Sequence, residues 1–466
     1  MEFAELRSSI EQTTWPAMLS GTAAQLLAMQ RQFDETQWWP AEQLRAHQFE
    51  QLQLLLRHAA ATVPFHAERL RLAGIDPNEK LTEAVWARLP ILTRRDVQDA
   101  GELLRATTIP ASHGGTGVSS TGGSSGIPVR VRRTELERLL WNAVRVREEL
   151  WHREDMLGTI ARLRPIPDSL GEDNLRKARS AEGLSLPDWG PPMSLLWRTG
   201  PMALVDDGTP VSEQAERLQR LRPDYLSANP SSLRILLGHC RDAGITLPDL
   251  RAVWTLSEVV DPDLRALCQD VFGVRIVHNY SAAECGYIAL QCPEHPHFHI
   301  QSELALVEVL DTDGRACGCG EIGRVIVTPL HNFAMPLLRY ELGDEAEVGE
   351  PCSCGRGLPV LTNVIGRLDD YVTLPNGERR RSYTSHYRLA RIPALREFQI
   401  VQRSLELIEA RLVVARPLTA DEEQRVRTVL VAAFGDVFRI ELVYCPSIPR
   451  TAAGKLRTFV SELPRD

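Results

Sequence analysis

Apolar side chains recur at helical spacing from the early forties to the mid seventies, with Leu44, Phe49, Leu52, Leu55 and Leu56 on one stripe, so residues near 41 to 75 are expected to be helical. Farther along, the period changes repeatedly. Residues 211–221 and 231–243 read as helices, whereas 274–277, 304–310 and 322–328 read as strands. Helices and strands in that alternation predict an α/β fold. Past Gly366 the pattern shifts to strand candidates over 398–401 and 405–414, a helix over 421–434 and a strand over 438–444, which together make a small α+β unit. No internal repeat and no long low-complexity tract interrupts the chain.

Between the helical opening and the α/β region lies Ser119-Ser120-Thr121-Gly122-Gly123-Ser124-Ser125-Gly126-Ile127-Pro128. Glycines let backbone N–H groups approach an anion closely, and Ser and Thr hydroxyls add rotatable donors, so this composition suits polyphosphate oxygens. Val129-Arg130-Val131-Arg132 then alternates like a strand, which sets the loop between strands. A Walker loop would end in Gly-Lys-Ser/Thr and open a helix, and Gly115-Thr116-Gly117-Val118-Ser119-Ser120 fails the dinucleotide fingerprint at its last position. The bland alternative is a solvated linker. At the far end, Pro449-Arg450-Thr451-Ala452-Ala453-Gly454-Lys455-Leu456-Arg457 presents a lysine behind a glycine in a short turn.

Three further segments run between them: Asn279-Tyr280-Ser281-Ala282-Ala283-Glu284, Arg339-Tyr340-Glu341-Leu342-Gly343-Asp344 and Gly366-Arg367-Leu368-Asp369-Asp370. In this order the five segments resemble the motifs of the adenylate-forming superfamily of acyl-CoA synthetases and adenylation domains, most of all its phenylacetate-CoA ligase branch. Thr62-Val63-Pro64-Phe65-His66 and Leu89-Pro90-Ile91-Leu92-Thr93-Arg94-Arg95-Asp96 resemble the same branch. The resemblance implies a large N-terminal adenylate-forming domain over residues 1–367, with mixed sheets and helices, and a small mobile α+β domain over 368–466 that carries the catalytic Lys455. It implies ATP/AMP binding by Ser119, Thr121, Gly122, Gly123, Ser124, Ser125, Gly126, Glu258, Tyr280, Ser281, Glu284, Asp344 and Arg367, with Mg2+ on Glu284 and a hinge at Asp369.

The chemistry fits those residue types. A carboxylate is a poor acylating agent because its leaving group would be oxide, and attack on the α-phosphate of ATP replaces that group with AMP. Charge on the phosphate oxygens shifts during that attack, so preorganised donors and cations are the useful groups. Lys455 is expected to bridge acid and α-phosphate, Asp344 to accept both ribose hydroxyls, Arg367 to contact the nucleotide and Tyr280 to lie against adenine. The expected activity is an AMP-forming acid–thiol ligase with CoA as acceptor and an aryl or arylacetic acid as substrate. Transfer to a carrier-protein thiol or an amine is the alternative, and a turnover-free nucleotide-binding regulator is the rival from another class. Ala283 stands where the family has Thr, Ser281 where it has Gly, and Ile127 where a lysine often follows the loop. Tyr371-Val372-Thr373-Leu374-Pro375-Asn376-Gly377 replaces the Lys-x-x-Gly segment that usually lines the thiol tunnel, which bears on the acceptor.

The 466 residues, 43% hydrophobic and 24% charged, suffice for a large core and at least one further domain. No apolar run approaches the ~18 residues of a membrane helix, and Met1-Glu2-Phe3-Ala4-Glu5 lacks a signal peptide's basic and apolar regions, so a cytoplasmic enzyme is expected. A net charge of -8 argues against a nucleic-acid surface, and Arg379-Arg380-Arg381 is too short to reverse this. A homodimer is compatible with the sequence. Nine cysteines in such a compartment point to metal before disulfides. Cys292, a histidine of the run His295-Pro296-His297-Phe298-His299, Cys352 and Cys354 offer four ligands suited to structural zinc. The resemblance favours His299, with His295 and His297 as rivals and Cys317-Gly318-Cys319 as a competing pair. Cys240, Cys268, Cys285 and Cys445 read as packing residues. Trp197, Tyr225 and Trp254 fit an aromatic-acid pocket or ordinary core equally well.

Overall fold

The computed structural model describes residues 5–120, 129–164, 183–367, 371–381, 394–449 and 459–463, together with Asn174, Lys177, Leu389 and Ile392. Helices α1 (Gly21–Thr36), α2 (Ala41–Thr62) and α3 (Pro64–Leu72) form the opening; the expected helical stretch breaks at Val63, where Pro64 starts the third helix. Short helices α4 (Glu83–Ala87) and α5 (Arg94–Ala100) follow, the latter begun by a capping box between Thr93 and Asp96. Strands β1 (Thr116–Ser120) and β2 (Arg130–Thr134) pair antiparallel, Ser120 facing Arg130. The expected phosphate loop therefore joins two strands; Thr121, Gly122, Gly123, Ser124, Ser125 and Gly126 themselves lie outside the described residues. Helix α6 (Glu135–His152) starts directly from β2, with Thr134 as its N-cap accepting from the Glu137 N–H.

A twelve-stranded sheet dominates the molecule. One half holds β3 (Ile160–Arg164), β4 (Leu184–Leu186), β5 (Met202–Asp206), β6 (Tyr225–Ala228), β7 (Ala252–Thr255) and β8 (Arg275–Ala282) in the order β8-β7-β6-β3-β5-β4, parallel except for the β4 edge. Its central strands β6 and β7 are buried at every residue, as a sheet covered on both faces requires. Helices Val211–Leu221, Pro230–Ala243 and Pro262–Phe272 cover one face. Their boundaries are written locally: Pro230 and Pro262 open two of them, Asp261 caps one, and Gly244 and Gly273 end two of them in left-handed conformations. On the other face α1 and α6 pack, and Trp197, Tyr225 and Trp254 all join that core.

The antiparallel half holds β9 (Gly286–Gln291), β10 (Phe298–Ile300), β11 (Ala305–Leu310), β12 (Ile322–Pro329), β13 (Tyr340–Val348) and β14 (Val360–Arg367), ordered β11-β12-β13-β14-β10-β9. The halves meet in β8. Arg275 to His278 pair parallel with β7, whereas Asn279 to Ala282 pair antiparallel with β9, with a register shift after Tyr280. The Asn-Tyr-Ser-Ala-Ala-Glu segment thus occupies the place where one strand changes partners.

A separate C-terminal unit has its own core. A hairpin of β15 (Tyr371–Thr373) and β16 (Arg379–Arg381) precedes β17 (Leu395–Gln402), β18 (Leu407–Val414), helix Ala420–Phe434, β19 (Arg439–Tyr444) and β20 (Phe459–Ser461), with sheet order β19-β18-β17-β20. Ile400, Ile408, Leu412, Val426, Leu430 and Phe434 meet there, and Val372 and Leu374 pack into the same cluster. Among the described residues no helix is long and apolar enough to cross a membrane.

Candidate functional site

Tyr280 of β8 and Asp344 of β13 meet although β14, β10 and β9 lie between their strands in the sheet. Tyr280 donates its hydroxyl to Asp344 Oδ2 at 2.8 Å. Glu284, buried in the turn after β8, faces Arg94, whose Nη1 lies 3.4 Å from Oε1. Arg94 comes from the Leu-Thr-Arg-Arg-Asp segment, which is anchored to the Tyr-Glu-Leu-Gly-Asp strand: Leu92 N–H donates to the Arg339 carbonyl and Glu341 N–H to the Leu92 carbonyl. Two sequence segments some 250 residues apart therefore hold each other. Asp344 is the cross-strand neighbour of Arg367 in the β13–β14 register, which places the expected ribose acid and nucleotide arginine on adjacent strands. Gly343, at φ +79, turns the chain just before Asp344 in a conformation that a side chain would strain.

Ser281 hydrogen-bonds the Asn279 side chain at 3.1 Å, and Ser119 sits in β1 opposite Val131. Glu258 stands at the start of a neighbouring helix. Its carboxylate accepts from the Ser231 N–H at 2.8 Å and the Ser231 hydroxyl at 3.1 Å, so it caps helix Pro230–Ala243 from the carboxyl end of β7. The preceding Ser257 adopts φ +72, a left-handed conformation uncommon for a residue with a Cβ. Lys455 and Asp369 lie outside the described residues, as does Ile127; Arg367 is described in its backbone only.

Arg133 was not singled out by sequence. It donates to the Ala283 carbonyl beside Glu284, lies over the Trp141 ring at 4.7 Å, and its Nε stands 3.4 Å from Glu137 Oε1. The hairpin bearing the Ser/Gly loop is thereby fastened to the turn bearing Glu284. Its only sequence signal was the break in alternation at Arg132-Arg133, where β2 runs into α6. Burial pushes the Glu137 carboxyl up to about 7, with Arg133 opposing.

A cysteine–histidine cluster stands at the base of β9 and β10. Donor atoms of Cys292, His297, His299 and Cys352 all lie within 4.8 Å of one another. Cys292 and Cys352 sulfurs are 3.9 Å apart, close to the roughly 3.8 Å edge of a tetrahedron with zinc–sulfur bonds near 2.3 Å. Cys354 Sγ sits 3.4 Å from His299 Nε2. Three of the four expected ligands, Cys292, His299 and Cys352, are therefore together; His297, a rival by sequence, completes the group with Nε2 3.0 Å from Cys352 Sγ, while Cys354 stands beside it against His299. His295 instead hydrogen-bonds the Ser353 hydroxyl at 2.9 Å. The donor set fits a soft divalent ion: His299 Nδ1 faces the Leu358 carbonyl at 3.3 Å, leaving Nε2 as ligand, and burial lowers His299 to about 4, keeping it neutral. Cys317 and Cys319 lie before β12 and do not join this group among the described residues. Cys240, Cys268 and Cys285 are buried as expected, whereas Cys445 is half-exposed just past β19, where packing is one-sided.

The cluster has a structural neighbourhood. Arg356 lies over the rings of Trp38 and Trp151 at 4.9 and 4.5 Å, and its Nε donates to Gln37. Gly357 N–H donates to the Gln37 carbonyl, and a Cβ there would fall 1.8 Å from the Trp39 oxygen. The cysteine loop is thus locked onto the α1–α2 junction.

Residues 384–462 match the family model described as the CapK C-terminal domain. A phenylacetate-coenzyme A ligase of Thermus thermophilus is 25% identical across 91% of this chain and 97% of its own length. That of Escherichia coli K12 is 21% identical across 90% and 95%. Among solved structures, 2-hydroxyisobutyryl-CoA ligase in the postadenylation state with 2-HIB-AMP superposes with a TM-score of 0.70 at 18% identity, covering 92% of each chain. Its complex with 2-HIB-AMP and CoA in the thioesterification state gives 0.59, with 92% and 91% covered. Along nine-tenths of its length the chain is similar to phenylacetate-CoA ligases, and its fold is that of the adenylate-forming CoA ligases.

Proposed function

We propose that this protein is an ATP-dependent carboxylic acid ligase that forms an acyl-adenylate and passes the acyl group to CoA, with an aryl or arylacetic acid as substrate. The observation that carries this is the Tyr280–Asp344 hydrogen bond, which joins two of the expected motifs across the sheet, with the Glu284 turn fastened to the Ser/Gly hairpin through Arg133. In this reading residues 1–367 bind ATP and acid, and 368–466 bring Lys455 to them. Asp344, oriented by the Tyr280 hydroxyl, accepts the ribose hydroxyls. Glu284 holds Mg2+ in place of its contact with Arg94; the ion, when bound, offsets charge on the phosphate oxygens. Donors at Ser119 and Thr121 to Gly126 face the departing pyrophosphate. The acid's carboxylate oxygen attacks the α-phosphorus, the bond to pyrophosphate breaks, and Lys455 neutralises both partners. The cysteine–histidine group holds a structural zinc, a use of thiols that fits a reducing cytoplasm.

A second reading keeps the adenylation and changes the acceptor to a carrier-protein thiol or an amine. It is favoured by the segment that would line a CoA tunnel: here Tyr371 to Arg381 form a hairpin whose Val372 and Leu374 are buried in the C-terminal core. The test is acid-dependent exchange of labelled pyrophosphate into ATP. Wild type is expected to exchange, and Lys455→Ala to lose at least about 100-fold, on the scale of removing a transition-state donor. No exchange with any acid of a broad panel, in protein that still binds ATP, makes it a regulator instead. Product analysis with CoA, carrier protein and amines then identifies the acceptor.

A further inference from the structure

The α6-covered face of the parallel half carries a group of cations that the adenylation chemistry does not use. Ile160, Arg162 and Arg164 alternate onto that face of β3, while Ala161 and Leu163 turn to the helices behind. β3 is where the chain reverses direction across the sheet: β5 lies on one side and β6 on the other. The carboxyl edge of such a reversal is where open α/β sheets bind ligands, and here it is the edge shared with Glu258 and Tyr280. Arg162 and Arg164 sit at that edge, and Arg145 of α6 adds its field to both.

The partners of these arginines are neutral. Arg164 donates to the Ser227 hydroxyl at 2.6 Å, Arg162 to the Trp189 carbonyl at 3.1 Å, and Arg164 Nε is buried with no partner. Among the described residues none of the three forms an ion pair. Several other arginines pair with acids, Arg147 with Glu303 at 2.7 Å, Arg339 with Glu308 at 3.1 Å and Arg234 with Asp261 at 2.6 Å, whereas Arg265, like Arg162 and Arg164, donates to a carbonyl and an uncharged side chain. Burial, with repulsion from Arg145 and Arg164, lowers Arg162 to about 9, and Glu149 opposes this. Three carboxyls are near but differently occupied. Glu148 accepts from Asn279 Nδ2 at 3.0 Å, Glu154 is engaged with Tyr225, and burial drives Glu148 and Glu149 up to about 8 and about 7, toward the neutral form. Asp206, opposite Arg164 in register, accepts from the Gly208 N–H at 3.1 Å. Three half-buried cations side by side with neutral hydrogen-bond partners are a ready place for an anion from outside.

We infer that Arg145, Arg162 and Arg164 form a subsite for a second anionic group on the acid substrate, so that the preferred acid is a dianion bearing a further carboxylate, sulfonate or phosphonate. This rests on the ligase reading above. Trp254, next to Ser227 across β6–β7, and Tyr287, whose hydroxyl has no hydrogen-bond partner among the described residues, flank the arginines and suit an apolar spacer between the two charges.

The test compares matched acids in pyrophosphate exchange: para-phenylenediacetate against para-tolylacetate, and adipate against hexanoate. Wild type is expected to favour each dianion in kcat/KM. In Arg162→Met that preference should fall by about 30-fold or more, mostly through KM, as loss of a charge-assisted contact does. Arg145→Met, at a half-buried site, repeats the measurement in case the first variant folds poorly, and thermal shift by each dianion gives a readout independent of turnover. Equal or better use of the monoacids by wild type overturns the subsite and leaves the ligase reading standing. A rise in KM for ATP shared by both acids assigns the arginines to the nucleotide and also overturns it. Absence of exchange with every acid overturns both.

Discussion

The Tyr280–Asp344 hydrogen bond sets what a single atom can do in this site. Tyr280→Phe removes one donor from the carboxylate proposed to accept the ribose hydroxyls, and KM for ATP is expected to rise about 5- to 10-fold with kcat changed less, read in exchange kinetics. A second consequence at this scale concerns pH. Burial raises Glu148 to about 8 and Glu149 to about 7, above the ordinary 4.5, so both favour the folded state when protonated. That contribution is complete below the unfolded pKa and is lost as pH rises through the folded values. Buried His66, His152 and His278 are lowered to about 3, and theirs is lost in the opposite direction, as pH falls below 6.5. Between pH 6.5 and about 8 only the carboxyl effect remains among these groups. The melting temperature is expected to fall over that window, and Glu148→Gln to flatten the fall. Residue identity was legible where a motif fixed it, as at Tyr280, Glu284 and Asp344. It was not legible for Arg133, whose partner Ala283 lies far away in sequence, and spacing alone did not separate His297 from its rivals, because its partner Cys352 is equally distant.

Helices Val211–Leu221 and Ala420–Phe434 were readable nearly to the residue, because cap and period agree locally. Joining of the two sheet halves through β8 was not readable, since nothing in eight residues announces that four pair one way and four another. The cysteine loop shows the same limit: spacing gave the donors, and only the β9–β10 hairpin brought His297 in. One zinc per chain is expected by metal analysis of protein purified without chelator. Cys352→Ser should abolish it and lower the melting temperature, whereas His297→Ala and Cys354→Ala compared side by side show which completes the tetrahedron. Metal-free protein with normal stability would remove the site.

At the scale of the whole molecule, the C-terminal unit closes its own core around Ile400, Leu430 and Phe434, so the proposed hinge would carry it as one piece. A hinge at Asp369 predicts that Asp369→Pro spares adenylate formation and cripples transfer; equal loss in both half-reactions, followed separately by exchange and by thioester formation, counts against it. The alternation of elements made this two-part plan legible, whereas local pattern does not encode how the proposed hinge would bring Lys455 to the site.

The Arg356 loop has one further consequence. Because its guanidinium lies over two indoles and Gly357 leaves no room for a side chain against Trp39, emptying the cysteine–histidine cluster would disturb the packing of those rings, and tryptophan emission should shift toward longer wavelength on chelation. Indole fluorescence would then report whether the cluster is filled.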